Sequence, residues 1–94
     1  MTRILVLNGV GTPGLGASVA RKVRGEFRIV GTRNKQGFGV KESVVVVFDS
    51  TDASLDKARR VATLLGLPET AVRTSTQTQS VADVIVVIGS DYKE

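Results

Sequence analysis

The sequence predicts an α/β (α+β) fold, a two-layer sandwich with element order β-α-β-β-α-(β)-β, a four- to five-stranded sheet and two helices. Apolar runs rich in β-branched residues alternate twice with amphipathic helical patterns, which predicts two β-α-β halves of similar length. The second and third strands, 27–32 and 43–49, follow one another with no helix between them. This succession favours a mixed or antiparallel sheet with both helices on one face. The alternative is a small doubly wound sheet with a helix on each face.

The first half begins with a strand over residues 3–8, whose apolar run predicts a central position in the sheet. A glycine-rich turn follows, and Pro13 is compatible with the first turn of the next helix. Apolar residues recur every four positions from Leu15 to Val23 and predict one buried helical stripe. The helix is expected to stop before Gly25. The shorter strand after it is expected at an edge of the sheet.

The second half begins with the strongly apolar strand 43–49. A helix is predicted to follow a cap at Ser50 or Thr51, with the negative charges of Asp52 and Asp56 in its first turn. Its buried stripe is predicted at Leu55, Ala58, Val61, Ala62 and Leu65. Gly66 and Pro68 end the helix. Two more strands are predicted at 71–75 and 83–88, with a polar turn or hairpin arm at 74–80.

Composition argues against several kinds of activity. The chain has no cysteine and no histidine, which removes thiolate chemistry, the usual general base and the commonest metal ligand. Helix capping accounts for the cluster of Asp49, Asp52 and Asp56, so no acid–base pair stands out. We therefore expect no enzymatic activity, no catalytic residue and no metal site. No apolar run reaches the roughly 18–20 residues that cross a bilayer. Ninety-four residues provide one modest core, and residues 1–94 are predicted to form a single domain.

Charge is unevenly distributed along the chain. Residues 1–41 contain eight basic side chains against Glu26 alone, a net charge of +7, whereas residues 42–94 contain five basic and eight acidic side chains, a net charge of −3. A basic half of this kind is compatible with a polyanionic partner, although it is more often a solvated face that only confers solubility.

The glycines at 9, 11 and 14 have the spacing G-x-G-x-x-G, which allows three interpretations. A dinucleotide site would require a carboxylate after the second strand, and Arg33 and Lys35 stand there instead, so no nicotinamide or flavin cofactor is expected. An anion could bind at the start of the helix. The glycines could also serve only a tight turn close to the sheet. The candidate anion- or ligand-binding residues are Asn8, Gly9, Gly11, Gly14, Arg21, Arg24, Arg28, Arg33 and Lys35.

Two segments carry a resemblance to a known family. Residues 7–15 read Leu-Asn-Gly-Val-Gly-Thr-Pro-Gly-Leu, and residues 83–92 read Asp-Val-Ile-Val-Val-Ile-Gly-Ser-Asp-Tyr. They resemble the opening and closing segments of the LytR-type C-terminal domain of bacterial cell-envelope proteins. The resemblance implies a non-catalytic accessory module beside enzymes that attach anionic polymers to peptidoglycan. The charge of the basic half adds the expectation that the module binds anionic wall polymer or peptidoglycan directly. It also implies an extracytoplasmic location, with the membrane tether in a part of the parent protein that this chain does not contain.

The alternative is a cytoplasmic nucleotide- or RNA-binding module that uses the Gly9–Gly14 loop and the basic first helix. Binding of nucleic acid is not expected, because an RNA-binding sheet normally presents several aromatic rings and these strands offer only Phe48.

The sheet should also have a second apolar face. The runs Val44–Phe48 and Val84–Ile88 are apolar at odd and even positions, and two helices on one face cannot cover both sides. We expect this second face to pack on a second copy in a homodimer, on a neighbouring domain, or under the 74–80 arm.

Overall fold

The computed structural model describes residues 2–35, 37, 39–76 and 81–93. Residues 77–80 of the predicted arm lie outside this range. The elements in chain order are β1 (Arg3–Asn8), α1 (Leu15–Val23), β2 (Arg28–Asn34), β3 (Val44–Val47), α2 (Asp52–Leu64), a short 3₁₀ turn (Glu69–Ala71), β4 (Val72–Thr74) and β5 (Val84–Ile88).

The five strands form one mixed sheet in the order β2-β1-β5-β3-β4. β1 runs parallel to both β2 and β5, and β3 runs antiparallel to β5 and parallel to β4. Each helix therefore connects two adjacent parallel strands, which makes two β-α-β units. The last strand of the chain lies between the two units and joins them into one sheet.

Both helices pack against the same face of the sheet. Their buried side chains and alternate residues of the strands form a single cluster, which includes Val19 and Val61 from the helices and Val6, Val45 and Val86 from the strands. One shared cluster confirms the predicted two-layer sandwich, and the doubly wound alternative is wrong.

The second helix begins and ends where its sequence signals predict. Thr51 is the N-cap, and its Oγ1 accepts a hydrogen bond from the Ser54 N–H at 3.2 Å. Asp52 lies in the first turn of α2 as predicted, whereas Asp56 lies beyond it because the helix begins only at Asp52. At the other end, Gly66 has a φ of 70°, a left-handed conformation that glycine adopts without strain.

The first helix begins differently from the prediction. Its N-cap is Gly14, with a φ of 77° and no side-chain cap, so Pro13 lies just before the helix and not in its first turn. The helix ends at Val23, whose carbonyl accepts from the N–H groups of Glu26 and Phe27 at 3.1 and 3.0 Å. The predicted end before Gly25 is confirmed.

Candidate ligand-binding surface

Asn8 organises the loop between β1 and α1. Its Oδ1 accepts hydrogen bonds from the N–H groups of Val10 and Gly11, both at 3.0 Å, and its Nδ2 donates to the Thr12 carbonyl at 2.9 Å. The side chain is buried, with 4% of its surface exposed. Because its donor and acceptor are both engaged within the loop, Asn8 fixes the loop conformation.

The loop glycines meet specific steric demands. A Cβ atom at Gly9 would lie 2.6 Å from the Ile88 carbonyl oxygen and 2.6 Å from a methyl group of Val40. Gly11 and Gly14 have φ angles of 92° and 77°, which residues with side chains rarely adopt. This geometry agrees with the interpretation that the glycines serve a tight turn. Anion binding by the loop stays a prediction.

A pocket of about 380 Å³ lies between this loop, the start of α1 and the end of β2. Asn8, Gly11 and Gly14 line one side, and Arg33 and Asn34 line the other. The structure thus brings four of the predicted site residues together, while Gly9 packs against β5 instead. The described lining contains the cation of Arg33 and no carboxylate.

The five predicted basic site residues lie on α1, β2 and the turns that follow them. Arg21 belongs to α1, Arg24 caps its end, Arg28 and Arg33 belong to β2, and Lys35 follows β2 directly. All five are exposed. We call these five residues the basic face.

A groove of about 550 Å³ between α1 and β2 contains Arg24 and Arg28. It shares Ala17 and Thr32 with the pocket that contains Arg33. The two depressions therefore adjoin, so Arg24, Arg28 and Arg33 border one continuous surface. Arg21 and Lys35 line neither depression.

No residue of the basic face has an ion-pair partner within the described parts of the chain. Three other arginines in the described chain are ion-paired, whereas Arg73 donates to the backbone carbonyls of Thr70 and Val72. Arg3 contacts Asp83 at 3.3 Å, and Arg59 contacts Asp56 at 3.3 Å and Glu69 at 2.9 Å. Arg60 donates to Glu26 through Nε at 2.9 Å, which engages the sole carboxylate of the first 41 residues. The excess of positive charge in the first 41 residues therefore includes five exposed cations without an ion-pair partner among the described residues.

The closing segment, residues 83–92, holds the end of β5 against the residue that precedes β3. The sequence did not reveal this contact. Asp91 Oδ1 accepts from the N–H and the hydroxyl of the buried Ser43 at 2.9 and 2.7 Å, and Ser43 Oγ accepts from the Gly89 N–H at 2.9 Å. A Cβ atom at Gly89 would lie 2.7 Å from the backbone of Glu42. No role of its own was predicted for Asp91. Its position in the closing motif was the available signal for this role.

Tyr92 contacts α1 from the same segment. Its hydroxyl accepts from Lys22 Nζ at 2.7 Å, and Nζ lies 5.0 Å from the ring centroid, within cation–π range. Lys22 is therefore engaged, in contrast to its neighbour Arg21. This contact connects the closing segment to α1.

Three carboxyl groups in the described parts of the chain have a lowered pKa, and each change has a structural cause. The pKa of Glu26 is lowered by hydrogen bonds from Arg60, that of Asp83 by hydrogen bonds from Arg3, and that of Asp49 by the hydroxyl of Thr51. Glu26 and Asp83 each join two parts of the fold, whereas Asp49 contacts Thr51, the N-cap residue of α2. Among the described residues, no group of three or more acidic side chains is placed to hold a metal ion.

The second face of the sheet is apolar, as expected. Strand pairing places Leu5, Ile85 and Val46 in one row across three strands, and Leu7, Val87 and Val44 in the next. Leu5 is buried and the other five are half-buried, and none belongs to the core cluster beneath the helices. The alternate residues of the two runs pack under the helices instead. Association through this face stays a prediction that sedimentation at tens of micromolar would test.

Within the described part of the chain, no helix combines the length and apolarity that crossing a membrane requires. No curated protein sequence matches the chain at the significance required.

Two solved structures are similar to this chain. The solution structure of the C-terminal domain of RV0431 is 25% identical with a TM-score of 0.61, and the match covers 96% of this chain and 73% of that one. The crystal structure of the soluble domain of a conserved hypothetical secreted protein from Mycobacterium marinum, an Rv2700 ortholog, is 18% identical with a TM-score of 0.64. That match covers 98% of this chain, which spans 61% of the other. At this identity the second likeness shows the fold alone.

The family comparison covers nearly the whole chain. Residues 1–92 match the model of the family described as LytR cell envelope-related transcriptional attenuator. The match includes both the Asn8 loop and the closing segment, the two places where the resemblance was found. The chain therefore belongs to the LytR C-terminal domain family of cell-envelope proteins.

Proposed function

We propose that this domain is a non-catalytic, extracytoplasmic module that binds anionic wall polymers through the basic face, beside enzymes that attach such polymers to peptidoglycan. Membership of a cell-envelope family supplies the setting. The observation that carries the proposal is the state of the basic face. Its five cations are exposed, three of them (Arg24, Arg28 and Arg33) border adjoining depressions, and none has an ion-pair partner within the described chain.

Unpaired cations suit a repeating polyanion for a physical reason. An arginine already bound to a carboxylate must give up that contact before it binds a phosphate, whereas an unpaired one only exchanges water and counterions. Each exposed contact is weak and screened by salt, with a Debye length of about 10 Å at 0.1 M and about 3 Å at 1 M. Several contacts to one polymer chain combine, so we expect binding at low salt that is lost at high salt.

The test compares two double charge reversals. Arg21→Glu with Arg24→Glu changes two unpaired cations, and Arg59→Glu with Arg60→Glu makes the same change of net charge at two paired ones. The readout is retention on immobilised teichoic acid at low salt. We expect the first variant to lose retention and the second to keep most of it.

Circular dichroism of both variants confirms that each is folded before the columns are compared. Unchanged retention of the first variant would show that the basic face only confers solubility. Equal loss in both variants would show that net charge alone governs retention. Either result contradicts the proposal.

A further inference from the structure

The two edges of the sheet differ in what they expose. β4 forms one edge with three residues, whereas β2 forms the other with seven, Arg28–Asn34. Among the described residues, no strand pairs with the outer side of β2. A long edge strand presents unpaired N–H and C=O groups that another extended chain can bind.

Hydrogen bonds to β1 identify the backbone groups of β2 that point outward. Lys35 N–H donates to the Asn8 carbonyl at 2.8 Å, so it points toward β1. Successive residues of a strand direct their N–H and C=O groups to opposite sides. Arg33 lies two residues before Lys35 and pairs with Leu7 in the same ladder, so its N–H also points toward β1. The N–H groups of Thr32 and Asn34 therefore point away from the sheet. They are free to donate to an added strand.

The groove beside this edge has space and apolar surface for the side chains of such a strand. The register of β2 on β1 shifts between Ile29 and Gly31, which leaves Val30 outside the pairing. Val30 is 38% exposed and lines the groove together with Ala17 and Ala20 of α1. Because the two alanine side chains project little from α1, the groove of about 550 Å³ remains open beside β2.

The positive charge around β2 decides which kind of extended chain this edge favours. Pairing of β2 with β2 of a second copy would bring Arg28, Arg33 and Lys35 of both copies together, and like charges on adjacent strands are destabilising. The described lining of the groove contains Arg24 and Arg28 and no carboxylate. An acidic segment would meet these unpaired cations favourably.

We propose that β2 binds an extended, acidic polypeptide segment of another protein by strand addition, with the outward N–H groups of Thr32 and Asn34 as donors and Val30 as an apolar contact. The segment would use part of the basic face but would also depend on backbone hydrogen bonds. Charge-driven binding of a polymer has no such dependence, so the two proposals can fail separately.

The first experiment leaves the protein unchanged. The probe is a synthetic eight-residue peptide of alternating glutamate and valine, prepared also in two N-methylated forms that block alternate sets of amide groups. Strand addition uses only one of these sets, so we expect one methylated form to lose at least tenfold in affinity and the other to bind like the parent. Equal binding of both forms, or no binding of the parent peptide, would overturn the proposal.

Amide hydrogen exchange locates the bound peptide. We expect exchange at Thr32 and Asn34 to slow at least tenfold with the parent peptide, and exchange at Arg33 to change little, because its N–H already points toward β1. Protection that does not alternate along β2 would contradict strand addition.

The protein-side variant is Thr32→Pro, which removes an outward donor without changing charge, with Thr32→Val as the matched control that keeps the N–H. Proline is tolerated at an edge strand where its missing N–H faces outward. We expect Thr32→Pro to lose peptide binding and to keep retention on teichoic acid, and Thr32→Val to keep both. If Thr32→Pro is unfolded by circular dichroism, the methylated peptides decide. A folded Thr32→Pro that binds the peptide normally would overturn the proposal, whereas loss of polymer retention in Arg21→Glu/Arg24→Glu bears on the proposed function alone.

Discussion

The two β-α-β units of this domain share a topology and differ in how they use charge. In the β3–α2–β4 unit, Arg59 and Arg60 on α2 are both ion-paired. In the β1–α1–β2 unit, Arg21 on α1 and Arg33 on β2 have no ion-pair partner in the described chain. The arginines on the helix are therefore ion-paired in one unit, whereas in the other the arginine on the helix is exposed without an ion-pair partner among the described residues.

The units also start their helices by different means. α2 has thirteen residues and a side-chain cap from Thr51, whereas α1 has nine residues and begins at Gly14 without one. The loop before α1 is fixed instead by Asn8 and by the close approach of Gly9 to β5. The comparison teaches that the start of α1 is held by the buried Asn8 side chain and by close backbone packing at Gly9, so Arg21 and Arg33 take no part in these contacts.

The largest expected effect tests this close packing at Gly9. Gly9→Ala should lower the free energy of unfolding by about 3 kcal/mol, because the new Cβ would overlap the Ile88 carbonyl and Val40. Gly25→Ala is the control: no heavy atom lies within 4 Å of its added Cβ, so it should be neutral or stabilise by up to about 1 kcal/mol. Urea unfolding measures both. Equal free energies of unfolding of the two variants would show that the loop adjusts to the added methyl group at little cost.

The next prediction asks whether the units unfold together. Val19 on α1 and Val61 on α2 are both fully buried in the shared cluster. Truncation of either to alanine should cost about 2–3 kcal/mol through lost burial and a cavity. Far-ultraviolet circular dichroism and amide exchange should each show one transition. A separate early transition in Val19→Ala would indicate that the units are energetically independent.

A smaller effect is expected at the cap of α2. Thr51→Ala removes the acceptor for the Ser54 N–H and should cost about 1 kcal/mol, while Thr51→Ser keeps the oxygen and should cost less. Urea denaturation at neutral pH distinguishes the two. If both variants lose the same amount, the methyl group rather than the cap hydrogen bond stabilises this turn.

The smallest expected effect is on the stability of the protein at acidic pH. The lowered pKa of Asp83 means that its ionised form is favoured in the folded state, so its contribution is present at neutral pH and is lost as pH falls below about 4 through the folded pKa. Asp83→Asn should be less stable than the parent protein at pH 7, and the difference should shrink toward pH 3. Thermal melts across this range provide the measurement. A difference independent of pH would assign the effect to packing and not to charge.

Local chemistry made much of the fold predictable. The strand predicted at 3–8 is β1, Arg3–Asn8, because its apolar run ends directly at a turn signal. The apolar stripe of Leu15 to Val23 and the signals at Thr51 and Gly66 depend on residues within one or two helical turns. Such signals operate over short distances, so a single sequence displays them.

The candidate site was only partly predictable. The sequence identified the basic residues and placed Arg28 beyond the first helix if Gly25 ended it, which the structure confirms. It did not indicate which cations are neutralised, because Arg60 and Glu26 are 34 positions apart and meet only when α2 packs beside the end of α1. The role of Asp91 was hidden in the same way, since Ser43 is 48 positions distant.

The sequence by itself thus determined the elements, the apolar stripes and the excess of positive charge in the first 41 residues. Tertiary structure alone decided that β5 lies between β1 and β3, and that the positive charge left unpaired borders the long edge strand β2. The physical reason is distance along the chain. Strand order and charge pairing depend on contacts between residues tens of positions apart, and these contacts exist only once the core has assembled.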